Sequence, residues 1–153
     1  MKRLFLILLA TAMLCTTGNI YAQPSASKVV AAADITPANV LKWTKEVLPK
    51  MELLVPKLEK IKATTTGKSK MDGIKYLVAV TQMKAINAKG TKLTAAEAKR
   101  YYDLIAATVN SFYIECQSGP NDNGFCCVDC HNHGILGVWC FANCFVAKFP
   151  GID

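Results

Sequence analysis

Six of the chain's seven cysteines fall between Cys116 and Cys144, inside the last 38 of its 153 residues. No other feature restricts the fold as strongly, because each closed sulfur pair ties two segments together and contributes about 2 to 4 kcal/mol to a small domain. Six cysteines allow fifteen pairings. One of them has a geometric basis: Cys126 and Cys130 stand four apart, as do Cys140 and Cys144, with nine residues between the two pairs. Residues four apart share a helix face. With a turn at Gly134 and Gly137, two short antiparallel helices from about Phe125 to Val146 meet with four sulfurs in their seam. The pairing expected is then Cys126 with Cys144 and Cys130 with Cys140, which leaves Cys116 for Cys127.

Such a framework needs an oxidising compartment, and the N-terminus is consistent with one. Lys2 and Arg3 precede an apolar run from Leu4 to Leu14, interrupted by Thr11, and a small residue, Ala22, closes the stretch. This is the pattern of a secretory signal over residues 1–22, and the run is shorter than the ~20 residues that span a bilayer. Cleavage after Ala22 leaves Gln23 to Asp153. Leu14 before Cys15 is not the small residue that lipid attachment there requires. The expected location is secreted, extracellular or periplasmic.

The mature chain carries sixteen basic against eleven acidic residues, a net +5. Gln23 to Glu115 holds +7 of this and Cys116 to Asp153 holds −2. The division expected is a flexible lead-in over 23–35, a basic helical bundle over 36–115 and a cysteine-rich apolar module over 116–153. Lysines are the usual residues of solvated helix faces, and an anionic membrane or polyanion is the alternative partner for them. Arg100 is the one arginine left after processing and no aromatic interleaving accompanies it, so no nucleic acid is expected.

The bundle follows from periodicity. Thr36 and Pro37 cap a helix whose apolar stripe runs through Val40, Leu41, Val47, Leu48, Met51, Leu54, Val55, Leu58 and Ile61, with Pro49 and Pro56 expected to kink or divide it. Thr64 to Lys70 has linker composition. A second helix from about Asp72 to Ala88 is expected to bury Ile74, Leu77, Val78, Thr81 and Ala85, and Gly90 ends it. Thr94 and Glu97 form a capping box. The helix they open, about Ala95 to Glu115, shows Tyr101, Leu104, Ile105, Thr108 and Phe112 on one stripe. Three such helices with short links make an all-α, up-down-up bundle. Trp43, Tyr76, Tyr101, Tyr102, Phe112 and Tyr113 are expected to fill its core, a ligand pocket being the alternative.

The two Cys-x-x-x-Cys pairs between Cys126 and Cys144 resemble the disulfide-stapled helical hairpins of several small secreted peptides. That resemblance spans about twenty residues and implies an architecture only, since those families include inhibitors, toxins and antimicrobial peptides. A second likeness uses the same atoms. Cys127-Val128-Asp129-Cys130-His131 is similar to the haem-attachment motif of c-type cytochromes, and its late position is similar to that in four-helix-bundle cytochromes. This likeness implies covalent haem on Cys127 and Cys130 with His131 on the iron, and an electron-carrier function. The stapled form explains four cysteines by one geometry and is the one expected, with no cofactor.

Zinc could use the same cysteines with His131 and His133, but oxidation competes for the thiols, and no metal is expected. His131 and His133 lack a serine or carboxylate partner at recognisable spacing, so no catalytic residue is assigned. The chain thus reads as a secreted, non-enzymatic binding or effector protein for an unidentified protein or membrane surface, with membrane disruption as a further alternative. Ile135, Leu136, Val138, Trp139, Phe141, Phe145 and Phe149 are the candidate contact surface, packing against the bundle being their other use. Lys99-Arg100 is a dibasic pair that could release the C-terminal module, although it lies within a predicted helix.

Overall fold

A computed structural model describes residues 30–118, Cys130 and 137–152, the side chains of 115–118 excepted. Among the described residues there are four α-helices: α1 (Pro37–Thr64), α2 (Gly67–Lys89), α3 (Ala95–Ser118) and α4 (Gly137–Ala147). The all-α class expected from periodicity is the class observed.

Helix α1 begins as its sequence requires. Thr36 Oγ1 accepts the Asn39 amide at 3.2 Å and Pro37 occupies the first turn, where no amide hydrogen is needed. The helix does not divide at Pro49 or Pro56; it is continuous over 28 residues. The two prolines are seven residues apart and exposed, so both lie on the solvent face, where water can satisfy the carbonyls that lose an amide partner. The opposite face is unaffected and buries Val40, Val47, Leu48, Met51, Leu54, Leu58 and Ile61.

The expected linker is also shorter than its composition suggested. Only Thr65 and Thr66 separate α1 from α2, and Gly67 takes φ +58°, a left-handed conformation that glycine adopts without strain. Lys68 is already helical and bonds Asp72 Oδ2 at 2.6 Å. Antiparallel packing of α1 and α2 follows from that tight reversal. Gly73 faces Leu58 and Ile61 near the turn, while Lys84 pairs with Glu52 two to three turns further along.

The buried face of α2 differs from the expected stripe. Gly73, Tyr76, Ala79, Val80, Met83 and Ile86 are buried, whereas Val78 is half exposed and Thr81 is exposed. Apolar residues occur all round this helix, so periodicity defines its rotation weakly. Packing decides it instead: Gly73 turns to α1, where a Cβ would stand in ordinary contact with the Leu58 carbonyl oxygen at 3.6 Å. On α3, Ile105 and Phe112 are buried as expected, joined by Ala98 and Val109, while Leu104 faces solvent.

Between α2 and α3, Gly90 (φ +53°) closes α2 and a short 3-10 turn (Gly90–Lys92) leads to the capping box. Glu97 N–H donates to Thr94 Oγ1 at 3.3 Å and Thr94 N–H donates to Glu97 Oε2 at 3.1 Å. Lys89 Nζ reaches Glu97 Oε1 at 2.6 Å, so the end of α2 is tied to the start of α3. Lys75 Nζ meets Ser111 Oγ at 3.3 Å at the other end, which makes α2 and α3 antiparallel.

Helix α4 packs in the same hydrophobic cluster as the other three. Val138, Phe141, Ala142, Phe145 and Val146 are buried together with the α1, α2 and α3 stripes. The described part of the expected apolar module thus shares one hydrophobic cluster with the expected bundle.

The capping box gives a pH prediction. The Lys89 ammonium and the Thr94 amide and hydroxyl hold the Glu97 carboxyl at about 2, below its usual 4.5. A lowered folded-state value means the contribution is full above about 4.5 and is lost as pH falls toward 2. Glu97→Ala should lower the melting temperature at pH 7 and cost much less at pH 2. Equal losses at the two pH values would contradict this.

Candidate functional site

The candidate site is built on α4 and Cys130. In Gly137–Ala147 the buried residues Val138, Phe141, Ala142, Phe145 and Val146 follow a three-and-four step, so one face turns to the core. Cys140 and Cys144, four apart, lie together on the flank of that face, each partly buried. Cys130 is fully buried in the same cluster, with its Cα 5.2 Å from that of Cys140, and the two are joined by a disulfide. This is the Cys130 to Cys140 bond expected from the paired spacing. Cys144 is disulfide-bonded as well, to a cysteine other than these two.

Cys130 Sγ and Cys144 Sγ approach to 3.8 Å. Both sulfurs are in disulfides and carry no proton, so the contact is packing between two bridges and not a hydrogen bond. The three sulfurs of Cys130, Cys140 and Cys144 lie within 4.8 Å of one another, a spacing that a soft metal could use. A metal needs thiolates, and here all three sulfurs are bonded to sulfur.

The same bond bears on the haem likeness. A sulfur in a disulfide cannot also form a thioether, so the Cys130 to Cys140 bridge takes the atom that haem attachment would use. Cys127 and His131 lie outside the described residues, as do Cys126, Ile135, Leu136 and the signal segment 1–22; the side chain of Cys116 does too. The expected pairs Cys126 to Cys144 and Cys116 to Cys127 therefore fall beyond description.

The described residues of the candidate contact surface are placed in the alternative use, packing against the bundle. Val138, Phe141 and Phe145 are at most 8% exposed, and Trp139 and Phe149 are partly buried against the core. Their apolar area is taken up by the bundle, because α1, α2 and α3 leave a groove that a fourth helix fills. Phe145 meets Tyr76 at 5.3 Å and Phe149 edge-on at 5.2 Å. Lys50 Nζ lies 5.2 Å from the Trp139 ring centroid and covers its outer side.

The other aromatics also serve packing. Tyr76 stacks on Phe112 at 4.1 Å, and Trp43 lies 6.0 Å from Tyr102. Burial, with a smaller effect from Asp103, pushes the Tyr102 hydroxyl pKa up. Two open depressions lie on the described surface, one by Lys42 and Lys45 near the start of α1, the other along α3 by Lys99 and Arg100. Lys99 is bonded to Asp103 at 2.6 Å within α3, so the dibasic pair sits in formed helix.

Sequence reasoning missed a polar cluster at Asp72, which is buried despite its charge. It accepts from Lys68 at 2.6 Å and Lys75 at 3.4 Å, and Lys75 also lies 5.4 Å from the Phe112 ring centroid. The i−4 and i+3 lysines were the available signal. The cluster clamps α2 to α3 and presents no nucleophile with a base.

No protein-family model, no curated protein and no solved structure matches this chain.

The hairpin approach is tight enough to test. A Cβ on Gly137 would stand 2.6 Å from the Cys130 carbonyl oxygen, a backbone atom held by the disulfide. Alanine favours helix over glycine by about 1 kcal/mol, but overpacking costs about 1–3 kcal/mol. Gly137→Ala should therefore destabilise the chain in urea unfolding, and a gain in stability would show that the approach is not constraining.

Proposed function

We propose that the chain is an exported, disulfide-stabilised helical protein that acts by binding, with its contact surface on the outer faces of α1, α2 and α3. The observation that carries this reading is where large apolar side chains meet solvent. Those of α4 are buried or partly buried, while Leu53 is 78% exposed, Ile114 64%, Met71 54%, Val78 50% and Leu104 45%. Met71 and Val78 are two turns apart and share one face of α2. Exposed lysines surround these positions along the three helices, which suits a partner with acidic groups around apolar pockets.

Export is supported by the signal-like N-terminus and by the bridge at Cys130 and Cys140, which persists in oxidising compartments. Among the described residues no helix is long and apolar enough to cross a membrane. The buried position of α4 favours binding over membrane disruption, since its apolar face is engaged in the core. The bonded Cys130 favours a colourless protein over a haem carrier.

In an exporting host the secreted product should begin at Gln23, weigh six hydrogens less than its reduced chain and show no haem absorbance. Affinity capture from the producing culture should retain a protein that Met71→Glu/Val78→Glu loses by tenfold or more, about 1.4 kcal/mol, with helical circular dichroism unchanged. Equal retention by both forms would contradict the surface assignment. Leakage of anionic vesicles by the wild-type protein would move it to the membrane-active class.

A further inference from the structure

Burial sets one of the three clustered sulfurs apart from the other two. Cys130 is fully buried, whereas Cys140 and Cys144 are each partly exposed, and Cys130 Sγ touches both: bonded to Cys140 and 3.8 Å from Cys144 Sγ. The inner sulfur of one bridge thus lies against a sulfur of the next. We propose that Cys140, Cys130 and Cys144 form a thiol–disulfide exchange site that receives a small thiol at Cys140 and passes the exchange inward to Cys144.

Access excludes the buried Cys130 as the first point of attack and leaves the partly exposed Cys140 as the other end of its bridge. A thiolate RS⁻ attacks Cys140 Sγ; the RS–Cys140 bond forms, the Cys140 to Cys130 bond breaks, and Cys130 leaves as a thiolate with the electron pair. That thiolate stands in a hydrophobic cluster, where burial disfavours the charge. A thiolate of raised basicity is also a better nucleophile. Besides Cys140, the sulfur beside it is Cys144 Sγ.

In the second step the Cys130 to Cys144 bond forms and the existing bridge of Cys144 breaks. Its former partner departs as a thiolate with that electron pair and takes a proton from water. One thiolate enters and one leaves, two sulfur–sulfur bonds exist before and after, and no net oxidation or reduction occurs. The charge generated inside the core at Cys130 is thereby moved off it. This activity does not depend on the identity of a binding partner.

The test uses the oxidised full mature chain and a limiting amount of 2-mercaptoethanol, followed by N-ethylmaleimide and non-reducing peptide mapping. Trp139 and Phe141 separate the three cysteines, so chymotryptic cleavage resolves them. Samples are taken while helical circular dichroism is unchanged, which excludes exchange through unfolded chain. The result expected is a mercaptoethanol adduct on Cys140, a Cys130 to Cys144 cross-link as the main rearranged species, and maleimide on a cysteine outside the trio. An adduct on Cys140 with maleimide on Cys130, or a first adduct on Cys144, would overturn the proposal.

Discussion

Tyr76 of α2 lies between Phe112 of α3 and Phe145 of α4, its ring stacked on the first at 4.1 Å and tilted against the second at 5.3 Å. It is 1% exposed, so the full ring is withdrawn from water. Aromatic pairs of this kind add about 0.5–1.5 kcal/mol each beyond their area. This contact is one of several that seat α4, which packs against α1, α3 and α2 within one hydrophobic cluster. With Phe145 held there, Phe141 and Val138 are directed into the core one and two turns earlier, and Cys140 is brought beside Cys130. The disulfide then fixes an arrangement that packing has already selected, by reducing the freedom of the unfolded chain.

One core for all four helices changes where function can reside. An apolar α4 standing apart would offer its surface to a partner; an α4 seated in the groove offers mainly its sulfur flank and the edge of Trp139. The outer faces of α1, α2 and α3 are the contact area we propose, with ion pairs such as Lys84 with Glu52 and Lys62 with Glu59 distributed over them. Exposed pairs like these contribute little to stability and serve mainly to keep the surface solvated.

The sequence was most informative where local chemistry is decisive. The Thr36 cap, the Gly90 stop, the Thr94 and Glu97 box and the α1 stripe follow from rules that act within a few residues, and the Cys130 to Cys140 bond from the paired cysteine spacing. It was least informative where tertiary packing chooses. Gly73 carries no hydrophobic signal, yet it is buried against Leu58 and Ile61 of α1. The prolines of α1 suggest a break unless both are known to face water. The use of Phe141 and Phe145 was open because spacing states which residues share a face, not whether a groove exists to receive it. Asp72 illustrates the same limit: it is buried and paired with Lys75, which reaches Ser111 and Phe112 of α3, residues far away in sequence.

Native-state hydrogen exchange tests the single-core account most directly. Amides of α4 from Phe141 to Val146 should exchange only through the global opening that also exposes Met51 and Leu58 of α1, with one shared free energy and one shared response to urea. If the α4 amides exchange through a separate, low-energy opening while α1 stays protected, α4 is not part of the core and the account fails.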